Sequence, residues 1–449
     1  MSSRLGMSAP LRDRNFRLLF SGQLVSNLGD WLDFLALAVL IAYVWEKGPG
    51  SLAALAMVIA VPWIFVAPFS GVLADRWPKR TVMIGADLAR AAIVFAFIFA
   101  PNLPVLLALV GLKTVFSTLF APAEQAAIRM VVPENLLFAA NSLSQLVEQS
   151  TKVIGPALGG LLVSFSSPQT AFAIDGATFL VSAAILSRLP PIGVAGTSAE
   201  ADEEKGPAES GFWQELREGL VYIARRRALL ISMVSFAAAI FLLLAFDSLS
   251  PLAFREFGVS KALFGVAIGA IGLGGVLGAL AVGRYGGDVN PFVLMGGGSV
   301  VIGGLVAVMG VGLLSDLDAP PLLWTPVLFA VGLASAGVLI ASPTILQLET
   351  PPELMGRVDT SWAAIPTACQ LFAPVLGAVV ASWQSVGFVF AAAGAGLALV
   401  GVVVLIVRPP VGLDVPGGVR VEDVPVAPAG MPADPPSTLI HPTTKGATA

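Results

Sequence analysis

Four polar residues interrupt an otherwise apolar stretch near the start of the chain. They are Gln23, Asn27, Asp30 and Asp33, and their spacing places them along one face of a helix. If that helix crosses a membrane, each carboxylate is costly in lipid and must face a cavity or a partner. A carboxylate at mid-depth can bind and release a proton, so we expect Asp30 to be a proton-coupling residue and Asp33 to be the second candidate. The alternative is a structural hydrogen bond inside a helix bundle.

A second polar stripe contains Asn141, Gln145, Glu148 and Lys152, which also share one helix face. Glu148 precedes Lys152 by one turn, the order that favours an ion pair. The preceding apolar stretch contains Lys113 at mid-depth and Glu124 near its cytoplasmic end. We interpret these groups as a network around one cavity that rearranges when a proton binds, with Glu148 as a third proton-coupling candidate. Static pairing that only neutralises buried charge is the alternative.

The second half of the chain offers few polar residues within its apolar stretches. Asp247, Trp362 and Gln370 are the candidates for lining the substrate cavity there. The cavity candidates from the first half are Gln23, Asn27, Lys113, Gln145 and Lys152. An apolar, aromatic half that faces a charged half suits a lipophilic or amphipathic small molecule. A sugar would need many more hydrogen-bonding side chains.

The composition requires a lipid bilayer around these residues. The chain has 449 residues, of which 56% are hydrophobic and 12% are charged, whereas soluble domains carry about 25% charged residues. A disordered protein is also excluded, because that class has low hydrophobicity. The net charge of -4 leaves no basic surplus for a nucleic-acid partner. The chain is therefore predicted to be a polytopic membrane protein.

The residue inventory argues against an enzyme. His441 is the only histidine and lies in a polar tail, and Cys369 is the only cysteine. Most metal sites and catalytic triads that use histidine are thereby excluded. No Walker-type sequence is present, so ATP is not expected as the energy source. We expect no metal and no cofactor.

Twelve apolar stretches have the length of about 20 residues that one crossing needs. They cover residues 17–44, 51–74, 81–100, 103–127, 138–165, 169–189, 228–253, 262–282, 292–314, 322–347, 359–382 and 386–407. When the N-terminus is placed inside, 19 of the 25 basic residues fall on the inner side, as the positive-inside rule requires. This distribution predicts that both termini are cytoplasmic. The low ratio of lysine to arginine and the richness in Ala, Gly and Val favour a bacterial source, and we therefore expect the protein in a bacterial inner membrane.

The spans divide into two halves with weak internal similarity. Pro122 corresponds to Pro343, and the segment 156–159 corresponds to 374–377, which predicts a parallel repeat with the binding site between the halves. The predicted regions are a cytoplasmic arm (1–16), a six-helix bundle (17–189), a cytoplasmic linker with an interfacial helix (190–227), a second six-helix bundle (228–407) and a disordered cytoplasmic tail (408–449).

The loop after the second span reads GVLADRWPKR over Gly71–Arg80 and closely resembles the loop signature of the major facilitator superfamily. The resemblance implies an all-α membrane protein with twelve transmembrane helices in two pseudo-symmetric six-helix halves. It also implies that this loop latches the halves in one conformation. The predicted latch residues, with two partners from the third span, are Gly71, Asp75, Arg76, Lys79, Arg80, Asp87 and Arg90.

Within that superfamily the sequence is most similar to the drug, macrolide and siderophore exporter branch. Ser26–Asp30 and Asp87–Arg90 carry this resemblance, and Gly155, Pro156, Gly159 and Gly160 look like a fifth-span signature associated with antiport. Physically, these glycines permit close helix packing. The resemblance implies an exporter of drug-like molecules that exchanges them for protons by alternating access. A siderophore or lysophospholipid transporter of the same fold is the alternative, and we expect a monomer.

Overall fold

The computed structural model describes most of the chain as helix. The described residues are 9–67, 69–70, 77–133, 166–191, 220–286, 289–317, 320–351 and 354–409, together with 136–137, 139–141, 143–144, 147, 150–151, 154–155, 158–159 and 162. Within these residues the backbone forms helices, turns and bends, and no strand is present.

The first half contains five long described helices. They are α1 (Arg14–Val39), α2 (Pro49–Phe65), α3 (Lys79–Phe97), α4 (Leu103–Val131) and α5 (Pro168–Leu186). A π-helical turn, Leu40–Val44, extends α1. Between α4 and α5, the described residues from 136 to 159, and residue 162, are helical.

The described residues of the second half form six long α-helices and one short one. They are α6 (Arg227–Asp247), α7 (Ser250–Glu256), α8 (Lys261–Tyr285), α9 (Pro291–Leu314), α10 (Trp324–Glu349), α11 (Met355–Trp383) and α12 (Val386–Val407). The predicted span 228–253 contains two helices, because α6 ends at Asp247 and α7 begins at Ser250. Pro251 explains the break, since proline fits the first turn of a helix but not its interior.

Several helices begin at a capping side chain. Asp13 accepts hydrogen bonds from the backbone N–H groups of Asn15 and Phe16 at 2.8 and 2.9 Å. Asn102 caps α4 by accepting from the N–H of Val105 at 3.1 Å. These side chains satisfy N–H groups that a helix start leaves without a partner. These two helices therefore begin where the sequence supplies a polar side chain at the edge of an apolar run.

Nine of the described helices are long and apolar enough to cross a bilayer by length and composition. α2 is apolar but has 17 residues, and α3 carries Asp87 and Arg90 in its interior. With the partly described segment between α4 and α5, these helices are consistent with the predicted count of twelve.

Glycine residues let several helix pairs approach to backbone contact in the second half. A Cβ atom at Gly303 of α9 would lie 2.3 Å from the backbone nitrogen of Ala398 in α12. A Cβ atom at Gly274 of α8 would lie 2.1 Å from the carbonyl oxygen of Phe329 in α10. Such contacts replace the hydrophobic driving force that is missing between helices in lipid.

The end of the predicted interfacial helix packs on the second half. Residues 220–225 are helical, Ile223 is buried, and the Tyr222 hydroxyl donates to the carbonyl oxygen of Glu349 at 3.2 Å. Most of the linker, including Phe212, lies outside the described residues. The described end is thus attached to the terminus of α10.

Candidate functional site

One lysine stands between three aspartates in the middle of the first half. The Nζ atom of Lys113 in α4 lies 2.6 Å from Asp30 Oδ1, 2.7 Å from Asp33 Oδ2 and 3.6 Å from Asp175 Oδ2. The three carboxylates lie within 4.8 Å of one another. The lysine side chain therefore supplies the positive charge that this group of acids needs.

Three helices position this cluster. Asp30 and Asp33 are one turn apart on α1, and Asp175 comes from α5. The two helices approach closely at Gly29, where a Cβ atom would lie 2.2 Å from Asp175 Oδ1 and 2.1 Å from Thr178 Oγ1. A glycine at this position is therefore what allows the Asp175 carboxylate to reach the lysine.

A second basic group adjoins the cluster. The guanidinium of Arg90 in α3 lies between the rings of Phe120 and Phe179, at 4.4 Å from each ring centroid. It donates a hydrogen bond to Asp87, and its Nη1 atom lies 4.0 Å from Asp30 Oδ2. Arg90 is thereby held in a fixed position by cation–π contacts and an ion pair.

The charges of the described cluster do not cancel. Four aspartates and two basic residues give a formal charge of -2. The side chains of Asp33, Lys113 and Asp175 are 4%, 10% and 0% exposed, whereas Asp30 is 34% exposed. An excess charge inside a membrane protein is costly, so binding of a cation or proton relieves it. Of these four residues, Asp30 is the most accessible to such an ion.

The exposed side of Asp30 faces a cavity of about 760 Å³, a volume within the range of small-molecule sites. The cavity extends along α1 and includes Gln370 from α11, so both halves contribute to its wall. The predicted residues that line it are Gln23, Asn27, Asp30, Asp33, Lys113 and Gln370. The structure thus brings these six residues together around one space.

A second cavity of about 800 Å³ lies between the halves. It contains Asp247, and Phe34 and Ile59 line both cavities. Trp362 is located elsewhere: it is 7% exposed and stacks on Phe236 with ring centroids 5.4 Å apart. A cavity-lining role for Trp362 therefore stays a prediction that its position does not support.

Several predicted residues fall outside the described part of the chain. They are Gly71, Asp75, Arg76, Gln145, Glu148, Lys152, Pro156 and Gly160. Their coupling, cavity, latch and packing roles stay predictions.

The described members of the latch and packing groups have identifiable contacts. Lys79 is buried, and Arg80 donates to the carbonyl oxygen of Ser187. A Cβ atom at Gly155 would lie 2.3 Å from Trp31 Cβ, and one at Gly159 would lie 3.4 Å or more from α1 atoms. Both glycines therefore face α1.

Asp175 is not among the predicted site residues, although it is one of the three aspartates around Lys113. The available signal is its charge in the middle of an apolar stretch, the same signal that identified Asp30. Asp87 and Arg90 were expected to support the loop at 71–76. The structure places Arg90 beside Asp30 and in the wall of the cavity.

The halves touch at the end of the bundle where α1 finishes. Arg255 Nη1 donates to the carbonyl oxygen of Ala42 at 2.5 Å, and Lys261 Nζ donates to the carbonyl oxygen of Ser166 at 3.4 Å. The rings of Tyr43 and Phe264 are 5.8 Å apart. These contacts close that end between the two halves.

The close approach at Gly29 can be tested directly. Gly29→Ala is expected to displace Thr178 and Asp175, and to destabilise the protein by about 1–3 kcal/mol, the usual cost of overpacking. Thermal unfolding of the purified protein in detergent measures the change. Gly85→Ala in α3 is the matched control, because a Cβ atom there meets no heavy atom within 4 Å. Equal unfolding temperatures for the two variants would contradict the proposed contact.

Comparison with known proteins gives consistent matches over this architecture. The family model described as Major Facilitator Superfamily matches residues 19–365. The uncharacterized MFS-type transporter YfiS of Bacillus subtilis is 30% identical over 405 residues, which cover 89% of this chain and 95% of that protein. Macrolide efflux protein A of Streptococcus pyogenes is 23% identical, and the match covers 84% of this chain and 92% of that protein. A variant of the nucleoside transporter NupG has a similar structure, with a TM-score of 0.62 at 15% identity, and the match covers 86% of this chain and 99% of that one.

Proposed function

Because the chain belongs to the Major Facilitator Superfamily and is a multi-pass membrane transporter, we propose that it exports lipophilic or amphipathic small molecules in exchange for protons. The observation that carries the proposal is the cluster of Lys113 with Asp30, Asp33 and Asp175, which meets the cavity chiefly through Asp30. The efflux function of a relative, macrolide efflux protein A, supports the outward direction.

Exchange follows from competition for one negative charge. When Asp30 binds a proton, its attraction to Lys113 weakens, and the lysine keeps Asp33 at 2.7 Å as its partner. When the proton leaves, the cavity regains a carboxylate that attracts a substrate bearing positive charge. Because proton and substrate relieve the same excess charge, binding of one favours release of the other.

Alternating access would complete the cycle. The distribution of basic residues in the sequence supports cytoplasmic termini, which makes the end closed by Arg255 and Ala42 the outer end. The cavity beside Asp30 then faces the cytoplasm in this conformation. Export requires these outer contacts to break while the halves rock about the central site. We expect the protein to do this as a monomer in the bacterial inner membrane.

A lysophospholipid is the second candidate substrate, and the apolar lining of the cavity around Asp247 favours it. Such a lining accommodates an acyl chain as well as a drug-like molecule. A large anionic siderophore fits less well. It would need more basic side chains than the two, Arg90 and Lys113, that line the described part of the cavity near Asp30.

The proposal is tested with purified protein in sealed liposomes that have an acidic lumen and an alkaline exterior. Uptake of ethidium into the lumen, lost when an ionophore collapses the pH gradient, is the expected result. Protein-free liposomes give the leak rate. Gradient-independent transport of a labelled lysophospholipid without ethidium uptake would favour the second candidate, and no movement of either probe would contradict export of amphipathic molecules.

A further inference from the structure

The cavity around Asp247 differs from the one beside Asp30 in its charge. Of the described residues that line it, Asp247 alone is charged. Most of the remaining wall consists of aliphatic and aromatic side chains such as Phe34, Leu55, Phe264 and Ile268. A full negative charge is thus located at the edge of an apolar space.

Asp247 is exposed to this space, and none of the described basic residues forms an ion pair with it. It is the last residue of α6, and the start of α7 follows it with Ser250 and Pro251, which also line the cavity. An ionised carboxylate in apolar surroundings requires a positive partner. Since the described protein groups supply none, a ligand is the available source.

We propose that this cavity, named here the Asp247 cavity, is a binding subsite for organic monocations with a bulky apolar body. The carboxylate pairs with the charged centre, and the apolar wall accepts the hydrocarbon groups. A volume of about 800 Å³ accommodates a ligand of drug size. The inference rests on the proposed export function, because it specifies the class of its substrates.

The position of Phe34 connects this subsite with the coupling cluster. Phe34 lies one residue after Asp33 on α1, lines both cavities and is 46% exposed. Ile59 of α2 also lines both spaces. A ligand at Asp247 therefore lies across a wall of two side chains from the cavity of Asp30.

Equilibrium binding in detergent tests the subsite without requiring transport. Tetraphenylphosphonium and tetraphenylborate have closely similar size and shape but opposite charge. Asp247→Asn is expected to weaken tetraphenylphosphonium binding by about tenfold or more, as loss of a charged contact in an apolar site implies. Binding of tetraphenylborate is expected to stay the same or strengthen. Asp247→Glu keeps the charge and should retain the cation preference, and Asp316→Asn, the same chemical change in an exposed turn outside the cavity lining, is the matched control.

The two proposals fail in different measurements. Loss of cation affinity in Asp247→Asn with retained thermal stability supports the subsite even if pH-driven uptake is absent. The subsite proposal would be overturned if Asp247→Asn bound tetraphenylphosphonium as tightly as the wild type does. It would also be overturned if the affinities for both ions fell equally. Wild-type protein that binds neither ion would overturn it as well. Leu339→Trp provides a second test. The larger side chain fills part of the cavity without altering its charge, so it should lower the binding affinity for both ions.

Discussion

Lys113→Gln is expected to produce the largest loss of stability among the substitutions considered. The change leaves Asp30, Asp33 and Asp175 within 4.8 Å of one another without the lysine between them. Removing one partner of a buried ion pair costs about 3–5 kcal/mol, and here one lysine has three partners. The thermal unfolding midpoint of the purified protein in detergent, followed by tryptophan fluorescence, should fall clearly, and pH-driven uptake should be lost.

A double variant separates charge imbalance from lost packing. Lys113→Gln combined with Asp33→Asn removes one negative charge with the positive one, so it should recover part of the stability but not transport. The matched control is Lys47→Gln, since Lys47 is exposed in the connection before α2. An unfolding midpoint for Lys113→Gln equal to that of Lys47→Gln would contradict the assigned role of the lysine.

Asp30→Asn is expected to uncouple transport while leaving the protein folded. The amide resembles the protonated acid in shape and charge but cannot release a proton. Because Asp30 is 34% exposed to the cavity, the substitution buries no new unpaired charge. Accumulation of ethidium driven by a pH gradient should fall by about a hundredfold, a change of about 3 kcal/mol in driving force. Exchange of labelled for unlabelled ethidium at equal pH should continue, but at higher ethidium concentrations, because the remaining three aspartates and two basic residues keep a formal charge of -1.

The control for that variant is Asp316→Asn, the same chemical change in an exposed turn. Asp316 adopts a positive φ of 48°, which asparagine also tolerates. Asp33→Asn should impair both accumulation and stability, since Asp33 is almost fully buried beside Lys113. If Asp30→Asn accumulates ethidium as well as Asp316→Asn does, the coupling role belongs to another residue.

The fold was predictable from the sequence because lipid imposes simple requirements. Apolar length and loop charge identified the spans, and the loop signature identified the family; the matches to the family model and to solved transporters confirm the predicted fold class. Most predicted ends agree with the helices to within a few residues. The break between α6 and α7 falls within the predicted span 228–253, beside Pro251.

The candidate site was predictable only where its residues share one helix. Helical spacing places Gln23, Asn27, Asp30 and Asp33 on one face of α1, and all four line one cavity. The contribution of Asp175 depends on the approach of α5 to α1 at Gly29, which no local pattern reveals. Arg90 reaches Asp30 for a similar reason, since packing between helices brings α3 to the cavity.

The most direct test of proton exchange measures the proton itself. Proteoliposomes contain a trapped pH indicator, start with equal pH on both sides, and receive an outwardly directed ethidium gradient. We expect the lumen to acidify as ethidium leaves through the wild-type protein and through Asp316→Asn, and not to acidify with Asp30→Asn. Ethidium efflux through the wild type without acidification, or equal acidification with Asp30→Asn, would contradict coupling at Asp30.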